Sequence, residues 1–421
     1  MGKWPSLYKI KQSFNNQPVI HDIEAEVLKQ MDYILMNNHL PKGSRVAITA
    51  GSRGIANIVT ILQTVVQRLK TLGYRPFLFS AMGSHGGGTG KGQIAILDSL
   101  GITEEVVGCP VVASSDVIQI GTTEDEIIEL PVYIAKEAYE ADGILVINRV
   151  KPHTSFTGAY ESGCLKMMAV GMGRAKGASI VHALGAEHLA TSIPAITKQV
   201  LRKAPILGAI AIVENALEQT ALIQGMKKME IFDMEKQILI QAKSYMPKLP
   251  VKDIDLAIIL QMGKNYSGTG MDTNVIGRLR IEGVPEPTHM NIRYLAVLDL
   301  SEESHGNATG IGLADFTTEK LVRKIDKQAT YLNCMTSGFV TRAAIPMTFP
   351  DDKTLFEGIE KVLKRDDLSN LKIAIIKNTL QIDELWVSEA IFQTLQGEKN
   401  FELLEGPLNI KFDETNSLTL N

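Results

Sequence analysis

Short apolar runs rich in β-branched residues alternate along the chain with longer stretches of helical period. Residues 46–49 and 76–80 are typical of buried strands, and residues 55–72 between them have the period of an amphipathic helix. Residues 143–147 and 207–213 are almost continuously apolar, as in strands buried on both faces of a parallel sheet. The alternation therefore predicts an α/β fold with helices on the faces of the sheet.

The same alternation restarts after a proline-rich segment at residues 247–250. Three further apolar runs have the strand pattern: 256–260, 294–298 and 373–376. We therefore predict an N-terminal α/β domain over residues 1–250 and a C-terminal α/β domain over residues 251–395. A polar tail, 396–421, is expected to pack back on the N-terminal domain. The active site is expected in a cleft between the two domains.

Three polar segments follow predicted strands of the N-terminal domain. They carry Arg53, His85 and His153. Carboxyl ends of parallel strands meet at one edge of a sheet, so these side chains are expected to converge on one crevice. A guanidinium can bind a carboxylate or phosphate through two hydrogen bonds, and histidine suits acid–base chemistry near neutral pH. Each residue also has a simpler interpretation as a solvated or structural side chain.

A glycine-rich loop, residues 83–92, follows the second of these strands. It is not a Walker A motif, because His85 occupies the place of the first glycine and Lys91 is followed by Gly92. The loop is either a cradle for an anion or nucleotide, since glycine amides can approach phosphate closely, or a surface turn.

Lys166 lies in an otherwise small and apolar stretch. A solvated helix face would not have this composition, and desolvation makes a lysine nucleophilic. His182 and His188 lie further along the chain. Residues six apart point to different faces of a helix, so at most one of these histidines is expected to face a given site. In the second domain, residues 263–272 follow a strand and bring Tyr266 toward the expected cleft.

Composition narrows the function classes. Hydrophobic residues make up 45% and charged residues 21%, which is typical of a globular protein. Lys and Arg total 43 and Asp and Glu total 47, and no basic stripe is visible, which argues against binding to nucleic acid or a membrane surface. The three cysteines form no disulfide framework, and the first residues lack the apolar core of a signal peptide. A cytoplasmic protein that acts on a small molecule is expected.

The ordered set of residues resembles the lactate racemase family, whose members use a nickel-pincer nucleotide cofactor. Four elements occur in the family's order and close to its spacing: Arg53 in a strand-end turn, His85 in a Gly-x-His loop, Pro152-His153, and Ser162-Gly-Cys-Leu-Lys166 with Gly171, followed by His182. The resemblance covers residues 46–185. It implies an isomerase, a 2-hydroxy acid racemase or epimerase.

The resemblance also implies how the cofactor, pyridinium-3,5-bisthiocarboxylic acid mononucleotide nickel, is bound. Lys166 would form a covalent thioamide with it. His182 would be the protein's ligand to nickel, beside the two sulfurs and one carbon of the pincer in a square plane. Four further residues would bind the cofactor: Ser84, Gly86, Gly87 and Gly171. Cofactor-synthesis proteins are the implied partners, and a homodimer is one option for assembly.

The implied reaction passes the substrate's α-hydrogen to the cofactor as hydride and returns it to either face of a planar 2-keto acid. Arg53 would bind the substrate carboxylate. Tyr266 is expected, from its place in the second domain, to bind the substrate as well. His85 and His153 would alternate as base and acid at the hydroxyl group, an effect typically worth about 10²–10⁴ in rate.

The sequence departs from the family pattern at three places. The stretch from His153 to Lys166 is a few residues longer than in the lactate racemases. Ala50 stands where the lactate racemases carry an acidic residue, and their Tyr-Gln…Lys substrate element is replaced near residues 265–270. A 2-hydroxy acid other than lactate is therefore expected, and redox chemistry without inversion stays open. Two alternatives also stay open: a non-catalytic nucleotide- or metallocofactor-binding protein, and a zinc- or magnesium-dependent α/β hydrolase that uses His85 and His153.

Overall fold

The computed structural model describes residues 4–14, 17–36, 40–124, 129–365 and 367–420. The chain divides into two compact units. The central unit is Gln17–Met246, and the terminal unit combines Met1–Asn16 with Pro247–Asn421. Both units mix helices with largely parallel sheets, so the predicted α/β fold class is confirmed.

The strands are numbered in chain order. Strands β1 to β9 are Leu7–Gln12, Arg45–Ala50, Arg75–Ser80, Val111–Val112, Val117–Thr122, Pro131–Ala135, Gly143–Arg149, Ile206–Glu214 and Thr220–Lys227. Strands β10 to β18 are Asp253–Ile259, Asn291–Val297, Phe316–Thr318, Met347–Phe349, Ile373–Ile376, Glu384–Ser388, Phe401–Leu408, Lys411–Phe412 and Leu418–Thr419.

The α-helices are numbered in the same way. Helices α1 to α7 are Ile23–Leu35, Ile58–Thr71, Gly90–Ser99, Glu104–Val107, Lys136–Tyr139, Cys164–Lys166 and Arg174–Ala183. Helices α8 to α14 are Leu189–Lys203, Ile231–Tyr245, Thr273–Ile276, Glu319–Arg323, Lys327–Ser337, Asp352–Leu363 and Glu389–Leu395. A π-helical turn, Met167–Gly171, joins α6 to the residues before α7.

The sheet of the central unit has the strand order β4-β3-β2-β7-β8-β9. Neighbouring strands from β4 to β8 are parallel, and β9 is antiparallel to β8. Ala47 at the centre of β2 pairs with Phe77 of β3 and Ile144 of β7. The chain moves from β2 toward β4 on one side and then continues from β7 on the other. The strand order therefore reverses between β2 and β7, the position where open α/β sheets bind ligands.

Apolar periodicity explains why α1 and α2 form and where they pack. Asp22 begins α1, because its side chain accepts a hydrogen bond from the Ala25 N–H at 2.9 Å. Apolar residues three and four apart on both helices are buried in the core of the central unit: Val27, Met31, Ile34, Leu62, Val65 and Leu69. The predicted helix at 55–72 begins later, at Ile58, because Asn57 adopts a left-handed conformation with φ 60°.

The sheet of the terminal unit has the strand order β13-β12-β11-β10-β14-β15-β1-β16. The five strands β13, β12, β11, β10 and β14 are parallel to one another. The pairs β14–β15, β15–β1 and β1–β16 are antiparallel. Its order reverses between β10 and β14. Both faces of this sheet are covered, since two apolar clusters of the terminal unit draw residues from the same strands.

The two ends of the chain pair with each other, which differs from the domain division drawn from the sequence. Residues 1–16 were expected in the N-terminal domain, but β1 lies between β15 and β16 in the terminal unit. The polar tail, expected to pack on the N-terminal domain, contributes β16 to the same sheet. Leu7 and Ile10 of β1 are buried in the two apolar clusters of this unit, which accounts for the pairing. Among the residues described, no helix has the length and apolar character needed to cross a membrane.

Candidate functional site

The turn after β2 carries Arg53 at the point where the strand order reverses. Glu214, the last residue of β8, accepts a hydrogen bond from the Ala56 N–H at 2.7 Å and forms an ion pair with Arg149 at the end of β7. One carboxylate therefore fixes the turn to the neighbouring strand ends. Arg53 reaches solvent, but crowding by the surrounding protein, together with the charge of Arg149, lowers its pKa. The guanidinium stays charged at neutral pH, so it can bind an anion.

The loop after β3 carries His85, which is exposed beside the Arg53 turn. Its Nδ1 forms a hydrogen bond with the hydroxyl group of Ser52. Gln93 of α3 fixes the loop from below: its amide donates to the carbonyl oxygens of Gly83, at 3.2 Å, and His85, at 3.4 Å. Gln93 in turn accepts from the Ser80 hydroxyl at 2.7 Å. The His85 loop is thus tied to both its own strand and the Arg53 turn.

The glycines after His85 adopt a conformation that other residues avoid. Gly86, Gly87 and Gly88 have φ values of 65°, 66° and 68°. A Cβ at Gly86 would lie 2.5 Å from the carbonyl carbon of Gly92, while one at Gly87 would meet nothing within 4 Å. Close packing against Gly92 therefore requires glycine at position 86, whereas the Gly87 backbone is open to an approaching group. Ser84 is exposed next to it.

The loop after β7 carries His153. Its Nδ1 accepts a hydrogen bond from the Ser155 N–H at 3.1 Å, and its ring lies 4.4 Å from the ring of Phe156. The same Phe156 ring lies 5.8 Å from the Lys166 amine. Phe156 therefore contacts His153 on one side and faces Lys166 on the other.

Glu161 lies inside this loop with its side chain fully buried. Its carboxylate accepts hydrogen bonds from the His153 N–H at 2.7 Å and the Gly158 N–H at 3.1 Å. Lys243 of α9 approaches it at 2.6 Å. These donors compensate for the loss of water around the buried charge.

Lys166 ends α6 and is half-buried. Burial and the charge of Arg53 lower its pKa from 10.5 to about 8, while Glu161 acts in the opposite direction. Glu235 of α9 lies at the start of α6, where it accepts from the Cys164 N–H at 2.7 Å and the Leu165 N–H at 3.2 Å. Burial raises the pKa of Glu235 to about 7, although these two N–H groups oppose the increase.

His182 lies near the end of α7. Partial desolvation and the charge of Lys166 lower its pKa, so the imidazole is neutral at neutral pH. Gly171 ends the π-helical turn, where its carbonyl oxygen accepts from the Gly83 N–H at 3.2 Å. A Cβ on Gly171 would lie 2.6 Å from the Ala81 carbonyl oxygen, so close packing against the end of β3 requires glycine here.

The structure links five of the residues singled out in the sequence. They are Arg53, His85, His153, Lys166 and His182, connected through Ser52, through Phe156 and through the mutual influence of the charged groups. Tyr266 belongs to the terminal unit, where its hydroxyl donates to the Gln261 side chain at 2.5 Å. In the described ranges, no group of three or more His, Cys, Asp or Glu side chains is arranged to hold a metal ion.

The sequence did not point to the side chains that fix these loops. Gln93, Glu161, Glu214 and Glu235 each bond to backbone groups of a loop that carries a site residue. Glu161 had a weak signal, because it is an acidic residue in the glycine-rich stretch between His153 and Lys166. The other three lie on regular helices or strands and had none.

The arrangement combines an exposed guanidinium, three imidazoles and an amine of lowered pKa at one sheet edge. Residues 50–236 match a protein family described as a domain of unknown function, DUF362. A search among curated proteins gives no match.

Two solved structures are similar to the chain. The lactate racemase apoprotein from Thermoanaerobacterium thermosaccharolyticum shares 12% identity with a TM-score of 0.52, over 89% of this chain and 98% of that one. A crystal structure of a protein from Thermotoga maritima shares 13% identity with a TM-score of 0.49, over 79% of this chain and 84% of that one. The first likeness shows that this chain and the lactate racemase apoprotein have a common fold.

Proposed function

We propose that this chain is an isomerase, a racemase or epimerase of a 2-hydroxy acid that carries a nickel-pincer nucleotide. The observation that carries the proposal is the linked set of Arg53, His85, His153, Lys166 and His182 at one sheet edge. The same residues, in the same order, carry the sequence resemblance to the lactate racemases. The fold shared with a lactate racemase apoprotein supports the assignment.

The residues present fit the proposed cofactor. An amine with a pKa of about 8 is a competent nucleophile near neutral pH, so Lys166 would make the covalent link. A neutral imidazole is the form that binds metal, so His182 would be the nickel ligand. The open backbone at Gly87, beside Gly86 and the exposed Ser84, would accept the nucleotide phosphate. Gly171 would serve by keeping the π-helical turn close to β3.

The chemistry that the cofactor supplies when bound is reversible uptake of the substrate's α-hydrogen together with its electron pair. The chain's own residues bind the substrate and move the other proton. Arg53 would bind the carboxylate, because its guanidinium is exposed in the turn after β2 and can form two parallel hydrogen bonds with a carboxylate. His85 and His153 would handle the hydroxyl proton from opposite sides.

The hydrogen bonds of the two histidines differ. Nδ1 of His153 accepts from the Ser155 N–H, so the ring proton of the neutral imidazole is on Nε2 and His153 starts as a hydrogen-bond donor. Nδ1 of His85 shares its bond with the Ser52 hydroxyl, which can also accept. The tautomer of His153 is thus fixed by a backbone N–H, whereas that of His85 follows from which partner donates in its bond with Ser52.

The test is co-expression of the full chain with the pincer-synthesis proteins in nickel-supplemented medium. Intact-mass and metal analysis should give an adduct that maps to Lys166 and about one nickel per chain. Purified protein should then exchange the α-hydrogen of a 2-hydroxy acid with deuterated solvent or interconvert its enantiomers. The panel should include acids larger and more polar than lactate, because the second-domain substrate element differs.

Three other results would contradict the proposal in different ways. An unmodified chain without nickel would remove the cofactor assignment. Stoichiometric zinc without nickel would favour a hydrolase that uses His85 and His153. A loaded chain that exchanges no 2-hydroxy acid would favour a cofactor-binding protein without catalysis.

A further inference from the structure

Helix α9 contacts both ends of the segment that carries His153 and Lys166. Glu235 on its first turns accepts from the N–H groups of Cys164 and Leu165, immediately before Lys166. Lys243, two turns later on the same stripe of the helix, pairs with Glu161. One helix therefore supports the lysine directly and the histidine loop through a buried ion pair.

Glu161 is the link between Lys243 and His153. Its carboxylate accepts hydrogen bonds from the His153 N–H and the Gly158 N–H and pairs with the Lys243 amine. The loop is closed at its base, where Lys151 and Ser162 form a bridge with two backbone hydrogen bonds of 3.0 and 3.2 Å. Asn148 adds a bond of 2.8 Å to the Gly163 carbonyl. The backbone bridge thus closes the loop at its base, and Glu161 fixes the residues within the loop through its charged carboxylate.

The loop that Glu161 fixes also lies against Lys166, because the Phe156 ring is 4.4 Å from the His153 ring and 5.8 Å from the Lys166 amine. Burial and Arg53 disfavour the protonated amine, and Glu161 favours it. The Glu161 carboxylate is fully buried and weakly screened by water, while the Lys243 amine offsets part of its charge. The same group that holds the backbone of His153 therefore moderates the reactivity of Lys166.

We propose that Glu161, braced by Lys243 of α9, is a positioning residue that fixes the His153 backbone and supplies negative charge to Lys166. The assignment of roles to His153 and Lys166 rests on the function proposed above. The contacts of Glu161 do not depend on that function, and the test uses the cofactor-free full chain without any turnover measurement. The result could therefore be interpreted even if the racemase assignment failed.

The first arm of the test measures the charge. Lys166 is labelled with an amine-acylating reagent across a pH series, and the modified peptide is quantified by mass spectrometry. Glu161→Gln removes the charge and keeps one carbonyl acceptor, so the labelling midpoint should move to lower pH. At pH 7 the rate should rise about two- to threefold. The matched control is Glu24→Gln, the same change at an exposed position on α1, which should leave the midpoint in place.

The second arm measures position. Glu161→Asp keeps the charge but shortens the side chain by one methylene, so it should lose contact with the His153 and Gly158 N–H groups. Hydrogen exchange of the peptide spanning residues 151–160 should accelerate on the order of tenfold, with the Lys166 midpoint close to that of the parent chain. A fold defect alone would move both readouts together.

A change on α9 tests the brace without touching the loop. Lys243→Gln should accelerate exchange in the same peptide, while Lys236→Gln, at an exposed position of the same helix, should not. An unchanged Lys166 midpoint in folded Glu161→Gln would overturn the charge role. Unchanged exchange in both Glu161→Asp and Lys243→Gln would overturn the positioning role.

Discussion

The two sheets of the molecule share a plan but differ at their carboxyl edges. In both, the strand order reverses once, between β2 and β7 in the central unit and between β10 and β14 in the terminal unit. The central edge holds three cationic or basic groups with lowered pKa values, Arg53, Lys166 and His182. Burial and a neighbouring positive charge contribute to each of these shifts, and Glu161 opposes the shift of Lys166.

The terminal edge, by contrast, satisfies its own charges and polar groups. The Lys264 amine donates to the Asn333 side chain at 2.8 Å and to the Gly268 carbonyl. Asp299 pairs with Lys320 at 3.0 Å and Lys324 at 2.9 Å. The loops after β10 and β14 are joined directly, because the Asp272 N–H donates to a threonine hydroxyl, Thr379, at 2.8 Å.

Topology therefore does not distinguish the two edges, and the balance of charges does. Like charges gathered at a strand-order reversal cost folding stability, and proteins retain such clusters where function requires them. At the central edge, the half-buried Glu214 and the fully buried Glu161 bond to loop backbones and so fix the Arg53 turn and the His153 loop despite that cost. The contrast therefore favours the central edge as the position of the proposed site.

The largest expected difference between the edges is in cofactor retention. After co-expression with the synthesis proteins, Lys166→Ala should show no covalent adduct, because the nucleophilic amine is gone. Lys264→Ala, the corresponding change at the terminal edge, should keep the adduct. Intact mass and nickel content of both variants measure the difference. An adduct of full stoichiometry on Lys166→Ala would move the attachment elsewhere.

The next effect is on turnover. His153→Ala should lower the racemisation rate by about 10²–10⁴ while nickel and cofactor stay bound, because an acid–base group is lost and the attachment is not. His289→Ala is the control, since that imidazole is exposed and bonds to the Asn274 carbonyl in the terminal unit. Rates and metal content are measured on the same preparations. A fully active His153→Ala variant would exclude this residue from the chemistry.

Most of the strands could be predicted because their signal is local. The apolar runs at 46–49, 76–80, 143–147 and 207–213 all lie inside observed strands, as expected for strands buried on both faces. The pairing of β1 with β15 and β16 could not be predicted, because it joins residues from opposite ends of the chain. The start of α2 was missed because a left-handed Asn57 has no clear sequence signal.

The residues of the candidate site likewise divide into those with a local sequence signal and those without one. The positions of Arg53, His85 and His153 were predictable, because each follows an observed strand and the ends of parallel strands meet. The side chains that fix their loops were not, since a carboxylate bonded to a distant backbone leaves no local pattern. Glu235 and the Leu165 N–H that it accepts from are 70 positions apart along the chain.

The Lys166 amine at the central edge should make the stability of the chain depend on pH. The pKa of Lys166 falls from 10.5 to about 8 on folding. Below pH 8 the amine is protonated in both states, but the folded state binds that proton less tightly than the unfolded state. The destabilisation is complete below pH 8 and disappears as the pH rises to 10.5. Lys166→Met should therefore stabilise the chain by about 1–3 kcal/mol at pH 7, with partial exposure favouring the lower value.

Urea unfolding at pH 7 and pH 10.5 measures this gain and its loss. Lys264→Met is the control from the terminal edge, where removal of the contacts to Asn333 and Gly268 should lower stability at pH 7. A Lys166→Met variant that is no more stable than the parent chain at pH 7 would mean that the amine is well solvated. The contrast between the two edges would then lose its main support.

The smallest expected effect tests whether the terminal edge takes part in substrate binding. Tyr266 is predicted to contact the substrate, and its hydroxyl bonds to Gln261. Tyr266→Phe should raise KM for the preferred 2-hydroxy acid about three- to tenfold with kcat within about twofold, as expected when one hydrogen bond contributes equally to ground and transition states. Tyr331→Phe, an exposed tyrosine of α12, is the control. An unchanged KM would confine substrate recognition to the central edge and make the terminal edge a structural counterpart.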